Sequence, residues 1–178
     1  MTGIPTVNKA QLTYEILVLG CTAGFAAYDT ARRRVPNQGL ATFCPIVLAA
    51  PMLQAFPAYT TGSLLRALGL SLAGAAAGFL PMLLAALLSG DGTGVGGGDI
   101  KLAGFLGFAL GPVRILAALL TASLLAGLTA LFIHKRWKKR RTSRFADRSY
   151  VKKNMSLPFV PFLFVGTLAA TAAHIFIR

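Results

Sequence analysis

Two aspartates beside apolar segments, and a run of glycines leading into the second, are the residues whose types and spacing suit chemistry. The chain has five acidic residues in 178. Glu15 falls inside the first apolar run, Asp91 lies among glycines and Asp147 among basic residues, whereas Asp29 closes one apolar run and Asp99 opens another. Two carboxyl groups held close together do not both ionise cheaply, so one keeps a proton while the other accepts one. That arrangement activates water against a peptide carbonyl, with the pair serving by turns as general base and general acid. Each aspartate alone has a plainer account. Asp29 can pair with Arg32 or Arg33 one turn later, and Asp99 can cap its helix by accepting backbone N–H bonds. The chemical reading therefore depends on the elements that position the two groups.

The glycine-rich segment, Gly90-Asp91-Gly92-Thr93-Gly94-Val95-Gly96-Gly97-Gly98, fits other known loops badly. Residues 92–97 match the dinucleotide fingerprint in form, but no strand precedes them and no Rossmann unit fits between the flanking apolar runs. A phosphate-cradling loop needs Gly-Lys-Ser/Thr where this chain has Gly98-Asp99, and a calcium repeat needs further copies. What remains is a backbone that lets chain and substrate approach closely beside a carboxylate.

The positioning elements are membrane helices. Hydrophobic residues make up 55% of the chain and charged ones 13%, with a mean hydropathy of +0.66, which excludes a soluble globular protein. Apolar runs cover Leu12 to Tyr28, Leu40 to Ala58, Ala67 to Leu88, Leu102 to Leu110, Ile115 to Ile133 and Leu157 to Ile177. Five are long enough to span a bilayer core. The fourth is short unless its helix starts near Gly98 and runs to Gly111, and it is predicted to be tilted or buried by its neighbours. The sequence thus predicts an all-α, polytopic membrane protein of about six transmembrane helices, forming one membrane-embedded domain over residues 1–178.

Eighteen basic residues give a formal charge of +13. With Arg32 to Arg34 placed in the cytoplasm and the six runs alternating, 14 of these residues fall inside and four outside: Lys9, Arg66, Arg114 and Arg178. This satisfies the positive-inside rule only if the short fourth run crosses. Both termini then lie on the non-cytoplasmic side, and Asp29 and Asp99 come to one depth at the cytoplasmic face. A cleaved signal peptide over the first run fits less well, because three arginines directly follow it. The basic loop 135–156 reads as a cytoplasmic segment meeting anionic lipid headgroups, not nucleic acid. Cys21 and Cys44 read as small apolar residues, and His134 and His174 as packing or interface residues; no metal or organic cofactor is implied. The pairs Gly20 with Gly24, Gly74 with Gly78 and Gly107 with Gly111 have the spacing that lets membrane helices pack closely.

Three segments together resemble a known family. Gly96-Gly97-Gly98-Asp99-Ile100-Lys101-Leu102 is similar to the Gly-x-Gly-Asp-x-Lys-Leu signature of the prepilin peptidases, intramembrane aspartic proteases of type IV pilus and related systems. Asp29-Thr30-Ala31-Arg32-Arg33-Arg34-Val35-Pro36-Asn37 resembles that family's first aspartate, basic stretch and Ile/Val-Pro-Asn. Leu157-Pro158-Phe159-Val160-Pro161-Phe162 resembles its late Pro-Phe-x-Pro element. The matches stand in the family's order across most of the chain.

The resemblance implies the GxGD aspartic protease fold, Asp29 and Asp99 as the catalytic pair, and Gly96, Gly98 and Lys101 in support. It also implies a prepilin or pseudopilin substrate, cut on the cytoplasmic side of its apolar helix after a short basic leader ending in glycine. One helix and no cysteine cluster precede Asp29, so the likeness is to the short, peptidase-only form of Flp/Tad-type systems, and N-methylation is not expected. Presenilin-like peptidases also carry two membrane aspartates, but their Pro-Ala-Leu element is missing and the chain is too short for nine helices. The alternative from another class is a non-catalytic transporter or pilus-assembly component that binds a cation or protons on the aspartates. Against it stand the lack of an inverted repeat and the placement of both groups at an interface instead of the midplane. Oligomeric state is not legible.

Overall fold

The computed structural model describes residues 9–32, 35–55, 60–88, 96–140 and 158–177. Among them the chain is entirely helical. The elements are α1 (Lys9–Arg32), α2 (Asn37–Leu48), α3 (Ala50–Ala55), α4 (Thr61–Leu88), α5 (Gly97–Leu110), α6 (Pro112–Arg140) and α7 (Val160–Ile177). Each predicted apolar run contains a helix among its described residues. By length and composition, α1, the α2–α3 pair, α4 and Pro112–Ile133 of α6 can each cross a membrane, while α7 carries the shorter apolar stretch Val160–Phe176. The chain is a multi-pass, all-α membrane protein.

Its outer surface is apolar as lipid requires. On α6, Val113, Leu116, Leu120, Leu124, Leu128 and Leu131 recur at helical spacing and are all exposed, forming a stripe that faces hydrocarbon. The opposite face, with Ile115, Ala118 and Ala122, is fully buried.

The short fourth run forms α5, whose 14 residues rise about 21 Å against the roughly 30 Å of a hydrocarbon core. Nine of its residues are buried, because α2, α3, α4 and α6 all pack against it. A helix apolar on every side is at home in such a centre. Phe25 of α1, Phe43 of α2 and Phe105 of α5 meet edge to face, with centroids 5.7 and 6.5 Å apart, which fixes the spacing of three helices behind the site.

The helix ends depart from the apolar runs where polar residues do the capping. α4 begins six residues before its run because Thr60 and Ser63 form a reciprocal cap: Thr60 N–H donates to Ser63 Oγ at 3.0 Å and Ser63 N–H to Thr60 Oγ1 at 3.2 Å. The second run is broken at Ala49, two residues before Pro51, which cannot donate the next helical bond. α6 continues to Arg140, so the first positions of the predicted basic loop 135–156 are helical. The rest of that loop, with Asp147, lies outside the described residues, as do Arg33, Arg34, Asp91, Arg178 and the glycines at 90–94. The His134 side chain also lies outside them.

The predicted small-residue contacts divide. A Cβ on Gly74 would collide with the Gly107 carbonyl, one on Gly107 with the Gly74 carbonyl, and one on Gly78 with the Ala103 carbonyl, so α4 and α5 touch backbone to backbone. Gly20 and Gly24 make no such contact, because the buried face of α1 runs through Glu15, Val18, Thr22, Phe25, Ala26 and Asp29 instead. Gly111 serves as a hinge: its φ of 83° is a left-handed value that glycine adopts without cost, and Pro112 starts α6 immediately after it.

At the end of the bundle away from Asp29, the Arg114 guanidinium donates to Glu15 Oε1 at 2.6 Å and, through Nε, to the Leu110 carbonyl at 2.8 Å. The ion pair ties α1 to α6 across 99 residues, with side chains only 8% and 15% exposed. Arg114→Leu would strand a buried carboxylate. We expect it to lower stability by roughly 3–5 kcal/mol, read as a drop in Tm in detergent, with Glu15→Gln added in the same chain recovering most of the loss. Equal Tm in the single variant and the parent would show that the pair contributes nothing.

Candidate active site

Asp29 lies in the last turn of α1 and Asp99 in the first turn of α5. The antiparallel run of these helices brings both carboxyl groups to one end of the bundle. Asp29 is 5% exposed and Asp99 is half-buried. Burial first and the Asp29 carboxyl second bear on Asp99, so the two groups stand within electrostatic range of one another although 70 positions separate them in sequence. Such a pair holds a proton between its members more readily than it holds two full charges.

Each carboxyl is met by a helix N-terminus. Asp99 is the third residue of α5. Its backbone N–H donates to the Gly96 carbonyl at 3.0 Å, while its side chain interacts with the Gly96 N–H, one half of a capping box, since Gly96 has no side chain to complete it. The capping account of Asp99 thus holds, and it leaves the group facing Asp29. Asp29 is held differently. Its Oδ2 accepts a hydrogen bond at 3.3 Å from the backbone N–H of Val160, the first residue of α7. Arg32, a candidate ion-pair partner for Asp29, places its guanidinium 5.4 Å from the centre of the Tyr28 ring, a cation–π contact. Arg33 is outside the described residues.

Gly98 joins the two halves of the site. A Cβ there would sit 2.7 Å from Val35 Cβ and 3.3 Å from the Val35 carbonyl, so the turn carrying Asp99 lies directly on the segment that follows Asp29. We expect Gly98→Ala to push these segments apart, at about 1–3 kcal/mol of overpacking, and to lower activity more than the same substitution at Gly97, where a Cβ meets nothing. Equal activity in the two variants would remove Gly98 from the site. Gly96 is the N-cap of α5, in extended backbone. Lys101 is exposed and lines a groove between α4 and α5 with Ala75, Phe79, Gly104 and Phe108. A second apolar groove, of about 360 Å³, runs between α1 and α2 and is lined by Cys21, Gly24, Tyr28, Pro36 and Phe43. Among the described residues no three His, Cys, Asp or Glu side chains stand together as metal ligands.

The Val160 contact and the Glu15–Arg114 pair are polar links that reading the sequence misses. The first involves a backbone group and the second two residues that have no local relation.

Comparison with known proteins bears on the same segments. The type IV leader peptidase family has a model that matches residues 16–131, a stretch that contains both aspartates and the α5 turn. The chain belongs to the type IV leader peptidase family. It is also 37% identical over 169 residues to a protein of Bacillus subtilis (strain 168) named prepilin leader peptidase/N-methyltransferase, an alignment covering 94% of this chain and 58% of that one. The chain therefore spans little more than half the length of that relative. No solved structure matches it significantly. The family match ends before α7, so Val160 lies outside the matched residues.

Proposed function

We propose that this leader peptidase family member is an aspartic endopeptidase that removes the short basic leader of type IV prepilin-like substrates, of the Flp or pseudopilin kind. Asp29 and Asp99 activate the water. The observation that carries the reading is the meeting of two carboxyl groups, from opposite halves of the family match, within electrostatic range at one end of an apolar helix bundle.

In this mechanism a water held between the carboxyls loses a proton to the ionised aspartate as its oxygen attacks the scissile carbonyl. The protonated aspartate then gives its proton to the leaving nitrogen as the C–N bond breaks. The products are the leader, ending in a free carboxylate, and the mature chain, with a new amino terminus. Burial around Asp29 keeps bulk water out and strengthens each electrostatic contact. Gly96 leaves room for the substrate backbone beside Asp99, since a Cβ there would sit 3.3 Å from Asp99 Oδ2.

The reading places the carboxyl pair at the cytoplasmic face, both termini on the other side, the basic segment 135–156 against anionic headgroups, and the apolar part of the substrate in the groove between α1 and α2. Six crossings, with α5 and α7 included, give that arrangement. The support is the excess of basic residues on one side and the common end shared by α1, α5 and α7.

The test is co-expression of the full chain with an Flp-type prepilin, followed by N-terminal sequencing of the product. A mature chain beginning directly after the leader glycine is the expected result. A prepilin recovered intact, beside a folded and inserted enzyme, would sink the assignment.

A further inference from the structure

The late Pro158-Phe159-Val160-Pro161 segment matters through what its backbone lacks. Neither proline has an N–H. The N–H groups of Phe162 and Leu163 both turn back to the Phe159 carbonyl, at 3.0 and 3.1 Å. Of residues 160–163, Val160 alone has an N–H with no partner inside its own helix, and that donor reaches Asp29 Oδ2 in a site where Val160 is fully buried. The positive end of the α7 dipole stands behind it. A single donor of this kind fixes which carboxyl oxygen is engaged and which is free.

We propose that the Val160 N–H is a positioning group for Asp29, engaging Oδ2 so that Oδ1 is left to face Asp99 and the attacking water, with Pro161 adding no second donor after it. The proposal rests on the reading of Asp29 as catalytic. It gives the Pro-Phe-Val-Pro order a chemical role: the prolines shape the turn, and Val160 supplies the donor from its backbone. Side-chain identity at 160 then matters for packing alone, and any residue but proline keeps the hydrogen bond.

Three forms of the full chain in lipid nanodiscs, assayed on the same prepilin, separate the backbone role from the side-chain role. Val160→Ala keeps the N–H and loses packing. Val160→Pro keeps bulk and loses the N–H, at a helix position that proline tolerates. The α-hydroxy analogue of valine at 160, introduced as an ester linkage, replaces only the N–H by oxygen. Losing one hydrogen bond to a charged group in the transition state corresponds to about a tenfold to hundredfold fall in kcat. We expect that fall in the proline and ester forms with KM within about twofold of the parent, and kcat within about twofold in Val160→Ala even where its Tm is lower. Parental kcat in the ester form, or a loss in Val160→Ala as large as in the ester, would overturn the proposal. Asp29→Asn run alongside separates the two levels of the argument. If it still cleaves, the reading of Asp29 falls and this positioning role with it; if it is inactive while the ester form is normal, only the positioning role falls.

Discussion

Asp29→Asn and Asp99→Asn should each abolish prepilin cleavage while leaving the protein as stable as the parent or more so. The two effects separate because the carboxyl pair is arranged against stability. Asp29 is nearly inaccessible and Asp99 is half-buried, so the folded state bears a cost of burying charge, with the second carboxyl adding to it, that an amide at either position relieves. Asparagine keeps the shape of the side chain. At 29 its carbonyl oxygen still accepts the Val160 N–H, and at 99 it still accepts the Gly96 N–H. Catalysis, by contrast, needs both a proton acceptor and a proton donor, and an amide is neither. A general acid–base group contributes about 10²- to 10⁴-fold in rate, and members of one catalytic unit are not additive. Each single variant should therefore lose at least about 10³-fold in kcat, with the double variant little worse. Cleavage assays and thermal unfolding on the same preparations check this. Activity retained in either well-folded variant removes that residue from the mechanism, and a matching collapse in Tm would show that the aspartates are structural.

Gly107→Leu should give the opposite signature, losing fold and activity together. Gly107 and Gly74 face one another so closely that a Cβ on either would enter the carbonyl of the other, and Gly78 stands in the same relation to Ala103. A side chain there meets backbone, which cannot rotate away, so α4 and α5 must separate along the whole contact. Leucine at this position should cost about 4 kcal/mol or more, the range reached only when a core rearranges; Gly107→Ala, with one methyl, should cost about 1–3 kcal/mol. Because α5 also carries Asp99, its displacement removes one carboxyl from the site. Thermal unfolding and limited proteolysis in detergent measure the first effect and prepilin cleavage the second. A Gly107→Leu protein with parental Tm would show that the two helices are not held by backbone contact.

Much of this arrangement was legible in the sequence because membranes simplify the grammar. With apolar residues everywhere, the few charges stand out, and alternation of the runs alone brought Asp29 and Asp99 to the same end. The weak fourth run was recoverable from charge placement, which needed one more crossing, although its periodicity was uninformative: a helix buried on nine of 14 positions has no polar face to reveal. The helix ends were less legible. Thr60, Thr61 and Ser63 extend α4 beyond its apolar run by capping, and the six basic or aromatic positions after His134 continue α6, since a helix does not stop where hydrophobicity does. Glycine spacing identified the α4–α5 contact but pointed equally to Gly20 and Gly24, which face outward, and it passed over Gly166, whose absent side chain lets α7 approach the Ala118 carbonyl. Spacing tells which glycines share a face and not which face is inward. The Val160 donor left no trace in residue type, as a backbone N–H is carried by every residue except proline. Only the two prolines around it marked the spot, by subtraction.

The hydrogen bond between Val160 and Asp29 spans 131 residues, and this has a consequence for how the protein is made. During synthesis Asp29 and the α5 turn emerge and insert long before the segment that opens α7. At the slower speeds of translation, the two carboxyls wait for about 10 s without the donor that orients one of them. A nascent chain at that stage has both aspartates but an unfinished centre, and on the proposed mechanism it should cleave more slowly than the finished fold. If Val160 positions Asp29 as proposed, full hydrolytic rate should arrive when α7 docks against α1, the last contact of the fold to form in chain order.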